Sequence, residues 1–326
     1  MNIIFVLLIS ISLFASEIDI DIDAGFKFDN NPYSISDKEE NHPIGVVSDL
    51  VSFYSLDAET RIAKLGKFSV KPSFVLSAEN YFDNTGRNNI KLRPKILFIK
   101  HAYWITAYYQ YMPQKSIRPL KDSDDNYEWK FPKYTNNLFR LRSGLEFIDN
   151  TWAEVSLKYQ LKYFDENFME YDERQYGLFG YLRYNKELYL KAGYGFDIAD
   201  CRGYDVQGEN AATSDDSDAS YDEDSFLLSV GYNFGKFDIR LSSFMYMRYY
   251  TSKKPDDTYH YTRKDTYNSF DIDFRYDFDD FYIKLGGKYM TRSIESEIFE
   301  ELSDLRSYNR IMIDIEAGYD GLSLKY

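Results

Sequence analysis

Apolar and polar residues alternate along almost the whole chain with a period of two. In EIDIDIDAGFKF, residues 17–28, Ile18, Ile20, Ile22, Ala24, Phe26 and Phe28 share one phase, and Asp19, Asp21 and Asp23 the other. Successive side chains of a strand point to opposite faces, so the stretch predicts a strand with one apolar and one charged wall. The same separation recurs in IKLRPKILF (90–98), LFRLRSGLEF (138–147), LKYQLKYF (157–164), YGLFGYLRY (176–184), FDIDFRYDF (270–278) and RIMIDIEA (310–317). About fourteen such segments can be traced, and none of comparable length has helical spacing. The D-x-D-x-D spacing at 19–23 also opens a calcium-binding EF-hand loop, which needs Gly at its sixth position and Glu at its twelfth. Those positions hold Ala24 and Asn30, and the intervening isoleucines favour an extended strand, so no metal site is expected.

The connections alternate in length. Short ones fall near 65–67, 100–101, 149–151, 185–187, 235–236 and 279–280. Long polar ones cover 29–47, 81–88, 113–136, 165–173, 199–224, 251–266 and 292–306. A meander with tight turns at one end and long loops at the other is the layout of an outer-membrane barrel. The expected fold class is therefore all-β, a transmembrane antiparallel up-and-down β-barrel of about 14 strands, with 12 and 16 as the neighbouring even counts. A soluble sandwich would also alternate, but it would not repeat short and long connections so regularly. Aromatic residues near strand ends, such as Tyr54, Trp152, Tyr163, Tyr249, Phe278 and Phe281, suit girdles at the two membrane interfaces.

Two termini frame this barrel. The apolar run from Ile3 to Phe14 is too short to span a bilayer and has the length of a secretory signal core, so residues 1–16 are expected to be a signal peptide and 17–326 the barrel. The chain ends LSLKY, with Leu322, Leu324 and Tyr326 in one phase. This ending resembles the terminal signal of bacterial outer-membrane β-barrel proteins. The resemblance implies residence in the outer membrane, contact with its lipid and lipopolysaccharide, and recognition of Tyr326 by the barrel-assembly machinery. Between Ile311–Tyr319 and Leu322–Tyr326 the phase slips at Tyr319-Asp320-Gly321. A one-residue bulge in a single closing strand is the expected cause, ahead of an Asp-Gly turn that would start a short extra strand.

Composition excludes several roles. A net charge of −14 repels nucleic acid, and the single Cys201 rules out an internal disulfide framework and is expected in a loop. Phospholipase and protease barrels need a His paired with Ser or Asp. His42 and His260 fall in long loops and His101 in a short turn, and only Asp256, Asp257 and His260 come near such a set. They are expected to be solvated loop groups, so no catalysis and no cofactor are expected. The run SDDSDASYDED (214–224) is expected to be a solvated loop without the fixed spacing of a cation cage.

If the apolar phase faces lipid, the other phase lines a lumen. Strands three to nine then contribute a basic wall of Lys67, Lys71, Lys91, Arg93, Lys95, Arg140, Arg142, Lys158, Lys162, Arg183 and Lys191, with few acids. Barrel closure gathers an acidic wall of Asp19, Asp21, Asp23, Asp57, Glu59, Asp271, Asp273, Asp277, Asp314 and Glu316, interrupted by Arg240, Lys284 and Lys288, with Lys284 expected beside Asp271. Opposed walls are similar to the constriction of general diffusion porins, and the size is similar to that of monomeric fourteen-stranded porins. That resemblance implies a pore for small hydrophilic solutes or ions. The alternative is a closed or structural barrel whose acidic outer loops serve surface binding or adhesion. Inward Phe179, Tyr181, Phe244 and Tyr246 are the candidates to plug the lumen.

Overall fold

The computed structural model describes residues 17–325 apart from 37, 39–42, 46, 61, 66, 122–127, 206–207, 211–213 and 215. The expected signal peptide, Tyr326 and His42 lie outside the described residues. The strands are β1 (Glu17–Asp29), β2 (Asp49–Thr60), β3 (Phe68–Tyr81), β4 (Asn89–Lys100), β5 (Tyr103–Ser116), β6 (Lys133–Ile148) and β7 (Thr151–Phe164). They continue as β8 (Glu173–Asn185), β9 (Leu188–Cys201), β10 (Tyr221–Asn233), β11 (Phe237–Tyr250), β12 (Lys264–Phe278), β13 (Phe281–Glu295) and β14 (Tyr308–Lys325). Each pairs antiparallel with its chain neighbours, and β1 also pairs with β14, which closes the sheet. The segment Ile62–Leu65 extends β2 alongside β3, so the closed barrel has 14 strands. Outside it lie a two-residue pair in the β5–β6 loop, two 3₁₀ turns and the short helix α1 (Leu302–Arg306).

Local chemistry explains the tight end. The turns at His101, Asn150, Gly235 and Asp279 each place one residue at positive φ, from 51° to 88°. Gly adopts that region freely, and Asn, Asp and His are the other residues that enter it most readily. His101 is thus a turn residue. At the closing seam, Ile20 faces Leu322 and Ile22 faces Tyr319, so β14 carries one extra residue within a continuous strand. Gly321, at φ 96°, sits in this bulge, and its N–H donates to Asp21 Oδ1 at 2.9 Å. The bulge resolves the slipped phase, and no fifteenth crossing forms.

The apolar phase faces outward on every strand. Leu157 is 50% exposed, Leu182 59% and Ile313 60%. Such a continuous apolar surface is stable only against hydrocarbon, so the molecule is an outer-membrane β-barrel and not a soluble sandwich. Linked rings mark the turn end: Tyr232, Phe234 and Phe237 follow at 4.5 and 6.3 Å between centroids, and Phe281 meets Tyr319 at 4.8 Å. With the short turns periplasmic, the long-loop end is the outer end.

Candidate functional site

The lumen is built from the polar phase. Lys71, Lys91, Arg93, Lys95, Arg140, Arg142, Lys158, Lys162, Arg183 and Lys191 stand in the inward phase of β3, β4 and β6–β9. Asp19, Asp21, Asp23, Asp57, Glu59, Asp271, Asp273, Asp314 and Glu316 do so on β1, β2, β12 and β14. Lys67 instead lies exposed in the β2–β3 turn. The basic stretch holds more acid than the charge pattern implied. Glu154 binds Arg183 at 2.7 Å, Arg142 at 3.1 Å and Lys191 at 3.4 Å, while Asp197 binds Lys158 at 2.7 Å and Glu173 binds Lys162 at 2.8 Å. Adjacent and next-but-one strands bring these carboxylates beside the cations, a pairing invisible within any one strand. Lys91, Arg93, Lys95 and Arg140 make no ion pair among the described residues.

The acidic stretch is also cross-linked. Lys288, not Lys284, meets Asp271 at 2.9 Å, because the β12–β13 register sets those two opposite each other. Lys284 lies 3.7 Å from Asp273 and 3.4 Å from Glu316. The Tyr282 hydroxyl lies 2.6 Å from both Asp23 and Glu316, and Arg275 pairs with Asp277 and Asp320.

Several inward aromatics pack against the wall. A Cβ at Gly195 would collide with the Phe179 ring, one at Gly193 with Tyr181, and one at Gly144 with Trp104. Each ring therefore fills the place of a missing side chain on the neighbouring strand. Tyr246 stacks on Tyr267 at 4.8 Å between centroids, and so also runs along the wall. In the outer half of the lumen a cavity of about 460 Å³ is bordered by Lys27, Glu79, Arg87, Lys91, Arg93, Lys115 and Arg310.

At the outer mouth the long loops interlock. The loop after β11 carries Asp257 and His260, both buried, with His260 Nδ1–H donating to Asp257 Oδ1 at 3.1 Å. The expectation of solvated groups is overturned because neighbouring loops cover them. Tyr171, from the loop after β7, meets the His260 ring edge-on at 6.5 Å, and Asp218, from the loop after β9, donates its N–H to Asp257 Oδ2 at 2.8 Å. Lys254 Nζ donates to the carbonyls of Ser214 and Asp216 at 3.0 and 2.8 Å. The acidic run is thus partly pinned, with Asp216 buried and Tyr221–Asp224 incorporated in β10. Cys201 is the last residue of β9 and buried, not in a loop. On the other side Tyr33 of the β1–β2 loop meets Phe131 at 6.1 Å, and Lys38 reaches Asp304 at 2.6 Å. Among the described residues no group of three His, Cys, Asp or Glu side chains is arranged to hold a metal ion.

Burial alone would raise the Asp257 carboxyl, but the hydrogen bond and charge of His260 and the N–H groups of Asp218 and His260 hold it below 3.8. A carboxyl depressed by folding adds stability that is full above its unfolded value and fades as pH falls through its folded one. Acidification below pH 3.8 is therefore expected to loosen the loops around Asp257 first. Limited proteolysis with an acid-active protease should show cleavage within 251–263 rising in that window, and an Asp257→Asn variant should be cleaved there already at neutral pH. Equal cleavage of the two proteins at pH 7 would exclude this role.

No protein-family model and no curated protein sequence matches the chain. Solved structures share the barrel at low identity. An anion-selective porin from Comamonas acidovorans is 9% identical, with 94% of this chain and 99% of that chain covered and a TM-score of 0.47. The outer membrane channel DcaP of Acinetobacter baumannii is 9% identical, with 93% and 96% covered and a TM-score of 0.48. OccAB3 of Acinetobacter baumannii is 10% identical, with 93% and 99% covered and a TM-score of 0.45. The likeness is one of fold. The chain is a closed, fourteen-stranded antiparallel membrane β-barrel.

Proposed function

We propose that the barrel is a passive pore for small hydrophilic solutes and ions, with a cation-rich stretch on β4–β7 facing an acid-rich stretch on β12–β14, β1 and β2. The observation that carries this reading is that Lys91, Arg93, Lys95 and Arg140 stand on the lumen face without an ion pair among the described residues. Cations without an ion-pair partner at that depth need water, and a water-filled lumen with fixed charges is a selective pore. The packing of Phe179, Tyr181 and Trp104 against glycines of neighbouring strands supports the same reading, since it holds those rings to the wall. In this reading the Asp257–His260 pair fastens the outer loops, with the His260 ring held between Asp257, Tyr171 and Tyr250. Residues 1–16 serve as the export signal and Tyr326 as the contact for barrel assembly.

Planar-bilayer recording in a salt gradient tests the proposal. Replacing Lys91, Arg93 and Lys95 by Glu is expected to move the reversal potential towards cation preference. Lysine at positions 19, 21 and 23 should move it towards anions. Both shifts should be largest at low salt, because fixed charges are screened over roughly 10 Å at 0.1 M. If the wild type does not conduct, or neither triple variant moves the reversal potential, the pore reading fails. The interlocked outer loops then favour the second reading, a closed barrel that binds a partner at the cell surface.

A further inference from the structure

We infer that the outer half of the lumen contains a binding subsite for small polyvalent oxyanions, of phosphate or polycarboxylate chemistry, formed by Lys91, Arg93 and Lys115. The inference deepens the pore reading and rests on it for the route by which the anion arrives. The three cations border the cavity of about 460 Å³, a size typical of sites for small solutes. Lys91 is near enough to Arg93 and Lys115 for their charges to repel it, and the single carboxylate of Glu79 offsets this only in part. Glu79, the carboxylate at that border, is already committed, accepting from Lys27 at 2.8 Å and from Asn89 at 2.9 Å. Of the other cations there, Arg310 pairs with Asp29 and Arg87 lies over the rings of Tyr33 and Tyr81, while Arg93 itself lies 5.8 Å from the centre of the Tyr108 ring. Lys91, Arg93 and Lys115 make no ion pair among the described residues, and Arg93 Nε is a buried donor without an acceptor.

A second observation points the same way. In β5 the outward phase runs through Tyr109 and Tyr111, and an unbroken strand would carry it on to Lys115. Instead the register against β6 slips between Met112 and Lys115, where β5 holds one extra residue and Gln114 takes φ 48°. A bulge of this kind flips every later side chain to the opposite face. Lys115 is thereby turned into the cavity, beside Lys91 and Arg93 on the neighbouring strand. Bringing a third cation to two others is unfavourable unless an anion joins them. A polyvalent oxyanion satisfies the set: the planar guanidinium of Arg93 matches two oxygens, and the two ammonium groups supply further donors.

Titration calorimetry on the full chain folded in detergent, with inorganic phosphate, citrate and acetate in parallel, tests the inference. Phosphate or citrate is expected to bind at least tenfold more tightly than acetate, and the better of the two identifies the chemistry. K91Q and K115Q are each expected to weaken that binding about tenfold, as for loss of one charged hydrogen bond. Lys115 lies near the outer rim, so K115Q keeps the assay meaningful should K91Q fail to fold, and retained heat-modifiable mobility on gels verifies folding. Binding no tighter than that of acetate, or binding unchanged in a folded K115Q, overturns the subsite. Conductance without binding retains the pore and discards the subsite, whereas binding without conductance retains the subsite and discards the open pore.

Discussion

A Glu154→Gln variant is expected to lose about 3 kcal/mol of folding stability, the lower end of the range for removing one partner of a buried ion cluster. The Glu154 side chain is 2% exposed and is the common partner of Arg183, Arg142 and Lys191, whose strands flank β7 or lie one further away. Removing its charge leaves three cations facing one another with no nearby carboxylate to replace it. The lower end applies because Arg142 is 34% exposed and can recruit water. Urea unfolding of the protein in lipid vesicles, followed by tryptophan fluorescence, measures the change. A loss under about 1 kcal/mol, the usual value of a surface ion pair, would mean that the cluster is solvated and contributes little.

The second large effect is on the opposite face. Leu157 lies at the middle of β7, neighbours Lys158 in sequence and points outward. Leu157→Arg is expected to cost about 2 to 4 kcal/mol, the value for a basic residue at the bilayer midplane, and to lower the folded fraction on refolding into vesicles. The same change at Phe281, in the ring of aromatics at the turn end, should cost about 0 to 1 kcal/mol, because the charge reaches the interface. Equal costs at the two positions would mean that the apolar face does not meet hydrocarbon at the depth assigned here.

Much of this architecture was legible in the chain itself. The strand faces follow from a period-two pattern, which is a property of neighbouring residues and needs no partner. The alternation of short and long connections gave the meander and its polarity, and the phase slip at Tyr319-Asp320-Gly321 located the bulge of the closing strand. The candidate site was legible only as two sets of inward charges. Its pairings were not, because they depend on the register between strands: Lys284 and Lys288 share a face four residues apart, and only the β12–β13 register sets Lys288 opposite Asp271. The solvated reading of Asp257 and His260 failed for a related reason, since loops far apart in sequence cover them.

By itself, then, the sequence determined that the chain folds as strands, which face of each meets lipid, and which charges look inward, since local alternation sets side-chain direction. Tertiary structure alone decided which of those charges are neutralised and which remain free. Glu154 gathers cations from three other strands, the rings of Phe179 and Tyr181 fold onto glycines of β9, and a bulge in β5 returns Lys115 to the lumen. The physical reason is that charge pairing, ring contact and bulge position are set by distances across the sheet, and those exist only once neighbouring strands have taken their register.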